Sequence, residues 1–494
     1  MANIRQQKPF FLLCFFEFFE RFGYYGFSYT AILFFMNKNG LGFTETEAVL
    51  LFGGFASLTY VFNAIGGYVG DSILGIKRTM FLGALFLLIG YASLAISAYY
   101  PGYEANIYLS LSSIIVGSAL FKPSPTNLIS RIYTDEKQLD SVYTYFYMSI
   151  NMGSLIASSL IPIVAAKYGY PIAYSICSIG FAIGIANTVY SYSSIKDIDN
   201  SVGHTNVKII KIAAAILACV IVISGLSYIL KDNNAIDYIL AIGALAIFVI
   251  FVAQIFIEKE HKAKMKIIAA IVLLIYAILF FIIYQQKMTS FLLFNLHHVN
   301  LNVFGYNINP QSIPGVLNTT GVIVLSPILA ILYMKSGDRD LSLPFKFAIG
   351  ILCCGLAYGT MFLACYLNSP DTKINILWEV LSITIFFSLG ELLISALGLS
   401  LMAKLLPKRI TGFAMGTWFI AAAIGIKLGS LVATSVASTL PSSTGTSFTA
   451  NMTALSYYKF ENLFGMIALV AIIFALLAFM IGKKLDKMIQ NDYN

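Results

Sequence analysis

Three ionisable residues interrupt an otherwise lipid-compatible run at residues 14–27, CFFEFFERFGYYGF: Glu17, Glu20 and Arg21. The E-x-x-E-R spacing puts Glu17 three and four residues before the other two, so on a helix all three lie near one face. Carboxylates in that position can take up and release protons, and a guanidinium can hold an anion. Each such charge at a bilayer's centre costs about 2.5–3.5 kcal/mol on insertion scales, so this turn must face polar partners.

A second charge stands in FKPSPTNL, residues 121–128, where Lys122 precedes Pro123 and Pro125. Proline lacks the amide proton that a helix needs, so the helix is expected to break just after the lysine. A buried ammonium beside such a break requires an anion, and Glu17 and Glu20 match it in kind. Two carboxylates, one guanidinium and one ammonium sum to zero. Two readings are open, a static ion-pair network that locks helices together and a working cluster that exchanges protons and ligand. Static buried networks are commonly replaceable by apolar packing, which favours the working cluster.

Other intramembrane polar residues are fewer. Asn151 lies in YTYFYMSINMGSL beside Gly153 and Ser154, where helices could approach closely, and serves either as helix glue or as a ligand contact. Asn318, Glu391 in SLGELLISALGLS and Trp418 in GFAMGTWF follow. Glu391 has no partner within its own helix, so a cavity-facing position is expected. Tyr24, Tyr25 and Tyr60 present polar tips on apolar bodies, either as packing or as pocket wall. His297 and His298 are adjacent, point to different faces and make a poor chelate, which favours an interfacial position over a metal site. The six cysteines all sit in apolar segments without metal-ligand spacing, and no phosphate loop, nucleophile elbow or H-E-x-x-H pattern occurs. The motifs exclude the common enzyme sites, and no metal is expected.

The elements that must carry these residues are membrane helices. Of 494 residues, 59% are hydrophobic and only 11% charged, with a mean hydropathy of +0.82, which excludes an ordinary soluble protein. Apolar runs predict fourteen spans: 10–36, 47–70, 79–99, 106–132, 139–166, 171–193, 209–230, 236–257, 267–297, 315–334, 345–367, 374–403, 410–438 and 460–482. They group as six, two and six, giving an N-terminal bundle (1–193), a linker with a two-helix insertion (194–266) and a C-terminal bundle (267–494). The N-terminus lacks a cleavable leader pattern, so the first span is expected to stay in place.

The net charge of +8 comes from short loops rather than a nucleic-acid-binding face. Of 31 Lys and Arg residues, 22 fall on the side of the termini and five opposite, which predicts both ends in the cytoplasm. The other four, Arg21, Lys122, Lys287 and Lys427, lie within spans. The loops GGYVGDSILGIKR (66–78) and KSGDRDLSLPFK (335–346) occupy corresponding places in the two halves, as in a duplicated bundle with its site between halves, although any short cytoplasmic loop would be charged.

Together these segments resemble the proton-dependent oligopeptide transporter family of the major facilitator superfamily. The resemblance rests on E-x-x-E-R-F-x-Y-Y-G at 17–26, G-D-x-x-x-G-x-K-R at 70–78, F-K-P at 121–123 and F-Y-x-x-I-N-x-G-S-L at 146–155, and covers nearly the whole chain. The first and last are specific; the loop is shared across the superfamily. The insertion at 209–257 is similar to that of bacterial members, and INP, LNTT, SPILAILY and ALGLS resemble their di- and tripeptide permeases. The resemblance implies an all-α polytopic major facilitator fold and proton-coupled import of di- and tripeptides by alternating access. It implies that Arg21 and Lys122 hold the peptide carboxylate, and that Glu391 holds the amine with help from Asn151 and Asn318. Ser395, Tyr24, Tyr25, Tyr60 and Trp418 would complete the substrate site. Glu17 and Glu20 would exchange protons and swap partners with Lys122, so that proton and substrate share one charge balance. No cofactor beyond the coupling protons, a bacterial inner-membrane location and a functional monomer are expected.

The departures are specific. Many members carry a second Arg just past Y-Y-G and a Glu at the start of the seventh core helix; Ser28 and Gln285 stand there instead, so an outer gate made by that pair is not expected. Ser124 replaces the usual Asn after K-P. Lys287 and Lys427 are extra cations that pair with Glu379, face water or alter selectivity. Other readings are a symporter of small zwitterions or drug-like molecules, and a peptide sensor without flux. The sensor is disfavoured because the cytoplasmic segments are only short linkers.

Overall fold

The computed structural model describes residues 4–100, 102–133, 136–195, 198, 209–303, 305–336, 340–405, 411–437 and 450–490. The apolar runs form helices in the order α1 (Ile4–Met36), α2 (Glu45–Val69), α3 (Ile76–Tyr99), α4 (Glu104–Phe121), α5 (Pro123–Ile132), α6 (Glu136–Tyr168), α7 (Tyr170–Tyr190), α8 (Ile209–Ile229) and α9 (Asn233–Ile257). The second half continues with α10 (His261–Gln285), α11 (Ser290–His298), α12 (Ile313–Ser336), α13 (Leu343–Leu367), α14 (Leu377–Glu379), α15 (Ser388–Leu405), α16 (Thr411–Ala437) and α17 (Ala450–Gln490). Among the described residues, thirteen helical segments are long and apolar enough to cross a membrane. The charges within α1, Glu17, Glu20 and Arg21 among them, set it apart as the fourteenth long helix, so the fold is the all-α polytopic one that the apolar runs predict.

The chain divides into two compact units. The first comprises residues 1–43 and 54–236, the second 44–53 and 237–494. In the first, α1 packs on α6 and α7, and α3 on α4 and α7. Small residues let backbones meet: a Cβ at Gly83 would come within 2.7 Å of the Gly117 carbonyl oxygen. In the second unit, α13 packs on α17 and α15, and α10 on α16. Most residues of α8 and α9 are exposed or half-buried, whereas most of α13 is buried, so the insertion contributes little to the packed core.

Three local departures from regular helix matter for the site. The predicted break falls at Lys122, between α4 and α5. A second lies between α10 and α11, where the amides of Gln286, Lys287 and Met288 bond carbonyls only three residues back, tightening the chain around Lys287. The third is a π-helical stretch, Val380–Phe387, directly before α15. Two short β-pairs also belong to the second unit: Val299–Asn300 runs parallel to Ile374–Asn375, and Asn302–Val303 antiparallel to Tyr306–Asn307 through a turn with Gly305 at φ +85°.

Candidate functional site

In the first unit the E-x-x-E-R turn folds as its spacing requires. Arg21 Nε lies 3.5 Å from Glu17 Oε1, one helical turn away, and pairs directly with the adjacent Glu20. All three side chains are buried. Glu17 Oε2, Glu20 Oε1 and Arg21 Nη2 are buried without a hydrogen-bond partner, so the cluster retains two acceptors and a donor. Close packing holds this turn in place: a Cβ at Gly153 of α6 would stand 2.5 Å from the Phe18 carbonyl oxygen and 3.2 Å from Arg21 Cβ.

Lys122 sits at the break between α4 and α5, held there by its own amide bond to the Ser118 carbonyl at 2.9 Å. Pro123 leaves the Ala119 carbonyl without its helical donor, and Gly66 of α2 lies against that carbonyl, where a Cβ would come within 1.8 Å of the oxygen. The ammonium lies 5.1 Å from the centre of the Tyr60 ring. The salt bridges to the two glutamates are made by Arg21, whose place on the same helical face gives it the shorter reach, while Lys122 interacts with both carboxylates electrostatically and also faces the Tyr60 ring. Tyr24 lies 5.1 Å beneath the Arg21 guanidinium and edge-on to Tyr25, whose ring stacks on Tyr29. Asn151 donates to the Tyr147 carbonyl of its own helix at 2.9 Å. Ser28 also bonds back, to the Tyr24 carbonyl at 2.7 Å.

The second unit holds a cluster that the sequence does not predict. Lys287 Nζ donates to Asn318 Oδ1 at 2.6 Å and lies 3.9 Å from Glu391 Oε2. Asn318 Nδ2 donates to the same Glu391 oxygen at 2.8 Å, and the Tyr284 hydroxyl reaches Oε1 at 3.3 Å. The Lys287 ammonium also lies 4.1 Å from the Tyr284 ring centre and 5.5 Å from that of Phe387. Among the described residues Glu391 has no partner on its own helix, as expected, but is paired from other segments and keeps 14% side-chain exposure. Its partners come from α12, from the end of α10 and from the break after it, more than 70 residues away in sequence, where no spacing rule reaches.

The remaining residues fall elsewhere. Trp418 is buried, its ring 5.8 Å from Phe281 and 6.4 Å from Phe347, over Gly398, where a Cβ would meet the indole. Ser395 is half-buried on α15, one turn past Glu391. Gln285 is buried and donates to Ser430 Oγ at 3.3 Å. Lys427 lies 3.3 Å from Asp237 of α9, so neither extra lysine pairs with Glu379, which is fully buried beside Asn295. His297 reaches Glu45 at 3.3 Å, while His298, at the end of α11, is buried and 2.9 Å from Ser456 Oγ.

The sequence profile of the POT family matches residues 77–445. The chain is 36% identical over 492 residues to dipeptide and tripeptide permease B of Shigella dysenteriae serotype 1, covering 99% of this chain and 98% of that one. It is 35% identical over 434 residues to the permease B of Photorhabdus luminescens, covering 87% and 88%. Among solved structures, tetrameric PepTSo2 superposes with a TM-score of 0.84 at 28% identity, over 98% of this chain and all of that one. The peptide transporter POT in complex with sulfate does so with 0.83 at 25% identity, over 97% and 95%. Profile, near-full-length relatives and fold agree, and the chain belongs to the POT family.

Proposed function

We propose that this chain is a proton-coupled symporter that imports di- and tripeptides across a bacterial inner membrane by alternating access, with both termini cytoplasmic and the monomer as the working unit. The observation that carries the reading is the buried trio Glu17, Glu20 and Arg21 with half-buried Lys122 in electrostatic reach of both carboxylates, a set whose charges cancel while two carboxylate oxygens and one guanidinium nitrogen keep unused bonding capacity. A peptide carboxylate bound by Arg21 and Lys122 would unbalance the cluster unless a glutamate took up a proton. Substrate and proton thereby become thermodynamically linked, and each must favour the other's binding. Inward movement of that proton gains about 2.3 kcal/mol per 100 mV of membrane potential, enough to drive accumulation.

Glu391, with Asn318, Asn151 and Ser395, is proposed to receive the amino end of the peptide; Tyr24, Tyr25, Tyr60 and Trp418 are proposed to accommodate its side chains. The division into bundles at 1–193 and 267–494, with the insertion at 194–266, is part of the same proposal, as is the absence of any cofactor other than protons. The relatives' description as dipeptide and tripeptide permeases supports the substrate class. The test is uptake into proteoliposomes under an inward proton gradient, using dialanine and N-acetyl-dialanine. Gradient-dependent accumulation of either is expected. If neither accumulates while a free amino acid or another small zwitterion does, the peptide reading gives way to that substrate class. Saturable peptide binding without flux would indicate a sensor instead.

A further inference from the structure

The Lys287 ammonium stands beside Glu391, the carboxylate proposed above to receive the peptide's amino end. Glu391 is the carboxylate expected at that pole, yet it is already neutralised, with Lys287 3.9 Å from Oε2 and Asn318 bridging the two by donating to the carboxylate and accepting from the ammonium. The lysine side chain is 1% exposed, that of Glu391 14%, so the cation is enclosed and only the carboxylate is open to a ligand. The lysine is also fixed from several sides: the Asn318 amide oxygen at 2.6 Å, the Tyr284 and Phe387 rings, and its seat in the tightened turn between α10 and α11. Swinging it out would strand both an ammonium and an amide oxygen in a buried site.

We propose that Lys287 serves as a built-in replacement for the substrate's α-ammonium, and that the chain prefers peptides whose amino end carries no positive charge, N-acylated peptides with a free carboxylate being the class that fits. The inference rests on the reading that Glu391 receives the amino end. A free peptide would bring a second ammonium to a carboxylate whose charge is already cancelled, within a few ångströms of Lys287, where low dielectric strengthens the repulsion. An N-acylated amino end offers instead one neutral N–H, which the exposed part of the Glu391 carboxylate can accept while Lys287 stays in place. The pair thus discriminates mainly by repelling the alternative ligand.

The test compares dialanine with N-acetyl-dialanine in proteoliposomes, for the unaltered chain and for Lys287→Met, an unbranched apolar replacement of similar length. The unaltered chain should transport the acetylated peptide with a kcat/KM roughly tenfold above that for dialanine, and Lys287→Met should invert the preference, since removing a like charge restores the pole for an amine. Thermal stabilisation of the detergent-solubilised, unaltered chain by each peptide gives the same ranking without any variant, and keeps the proposal testable if Lys287→Met does not fold. A preference for dialanine by the unaltered chain in both measurements, or a ratio unchanged in a folded Lys287→Met, overturns the inference while leaving peptide transport intact. Failure of both peptides to accumulate overturns peptide transport and the inference together.

Discussion

Gly153 of α6 and Phe18 of α1 meet backbone to backbone, with no room for a methyl group: a Cβ at position 153 would lie 2.5 Å from the Phe18 carbonyl oxygen. The contact lies one turn from Arg21, so the α1–α6 separation sets where the guanidinium stands. Gly153→Ala should cost about 1–3 kcal/mol of stability through overpacking, and should reduce uptake far more than the melting temperature. Paired thermal melts and uptake rates check this; an alanine variant with full uptake would show that the approach is not needed to place Arg21.

Lys122 stands at a break made by two prolines and has the Tyr60 ring as its neighbour. Lys122→Ala should abolish gradient-driven accumulation while the protein still folds, because removing a half-buried charge relieves part of its desolvation even as it disrupts coupling. Retained concentrative uptake in proteoliposomes would take Lys122 out of the coupling scheme.

Glu17→Gln fixes one carboxylate of the Arg21 cluster in a permanently neutral form. If the proton enters here, the variant mimics the protonated state at every pH. Peptide exchange between loaded liposomes should then persist, while accumulation driven by a proton gradient should fall at least about tenfold, since one of the two linked ligands is lost. The measurement is counterflow against gradient-driven uptake; equal losses in both would assign Glu17 to structure alone.

Asn318 bridges Lys287 and Glu391, and hydrogen bonds to charged groups contribute about 1.5–3 kcal/mol each. Asn318→Leu should therefore lower thermal stability by several degrees. Combining it with Lys287→Met should cost less than the sum of the single changes, because the two residues share one network. Strict additivity in melting temperatures would show that the bridge is not energetically coupled.

The sequence is most informative where a rule acts along one helix. Glu17, Glu20 and Arg21 share a face because of their spacing, and the break at Lys122 follows from Pro123 and Pro125, so both are legible in the order of residues alone. Apolar runs locate the helices for the same reason: in lipid the backbone must satisfy itself within each span. Partnership across helices is what the residue order hides. Lys287 and Glu391 are 104 positions apart, and the lysine's orientation depends on a tightened turn that no hydropathy pattern marks. The same holds for Lys427 with Asp237, and for His298, whose partner Ser456 lies far along the chain. The usable signal is the count of cations inside spans: each of the four has a partner of its own, and two of those partners are carboxylates on other helices.

The π-helical stretch Val380–Phe387 places a constraint on how this gene can change. A π turn holds an extra residue relative to α, so losing one residue between 380 and 387 would let the segment relax into continuous α-helix. The change would be silent in composition and hydropathy. It would nevertheless rotate Glu391 by about 100° relative to Lys287 and Asn318, dismantling the pole while leaving a helix that inserts normally. The length of this stretch therefore matters more to the pole than the type of any one residue in it, and single-residue deletions here should abolish transport where neighbouring substitutions are tolerated.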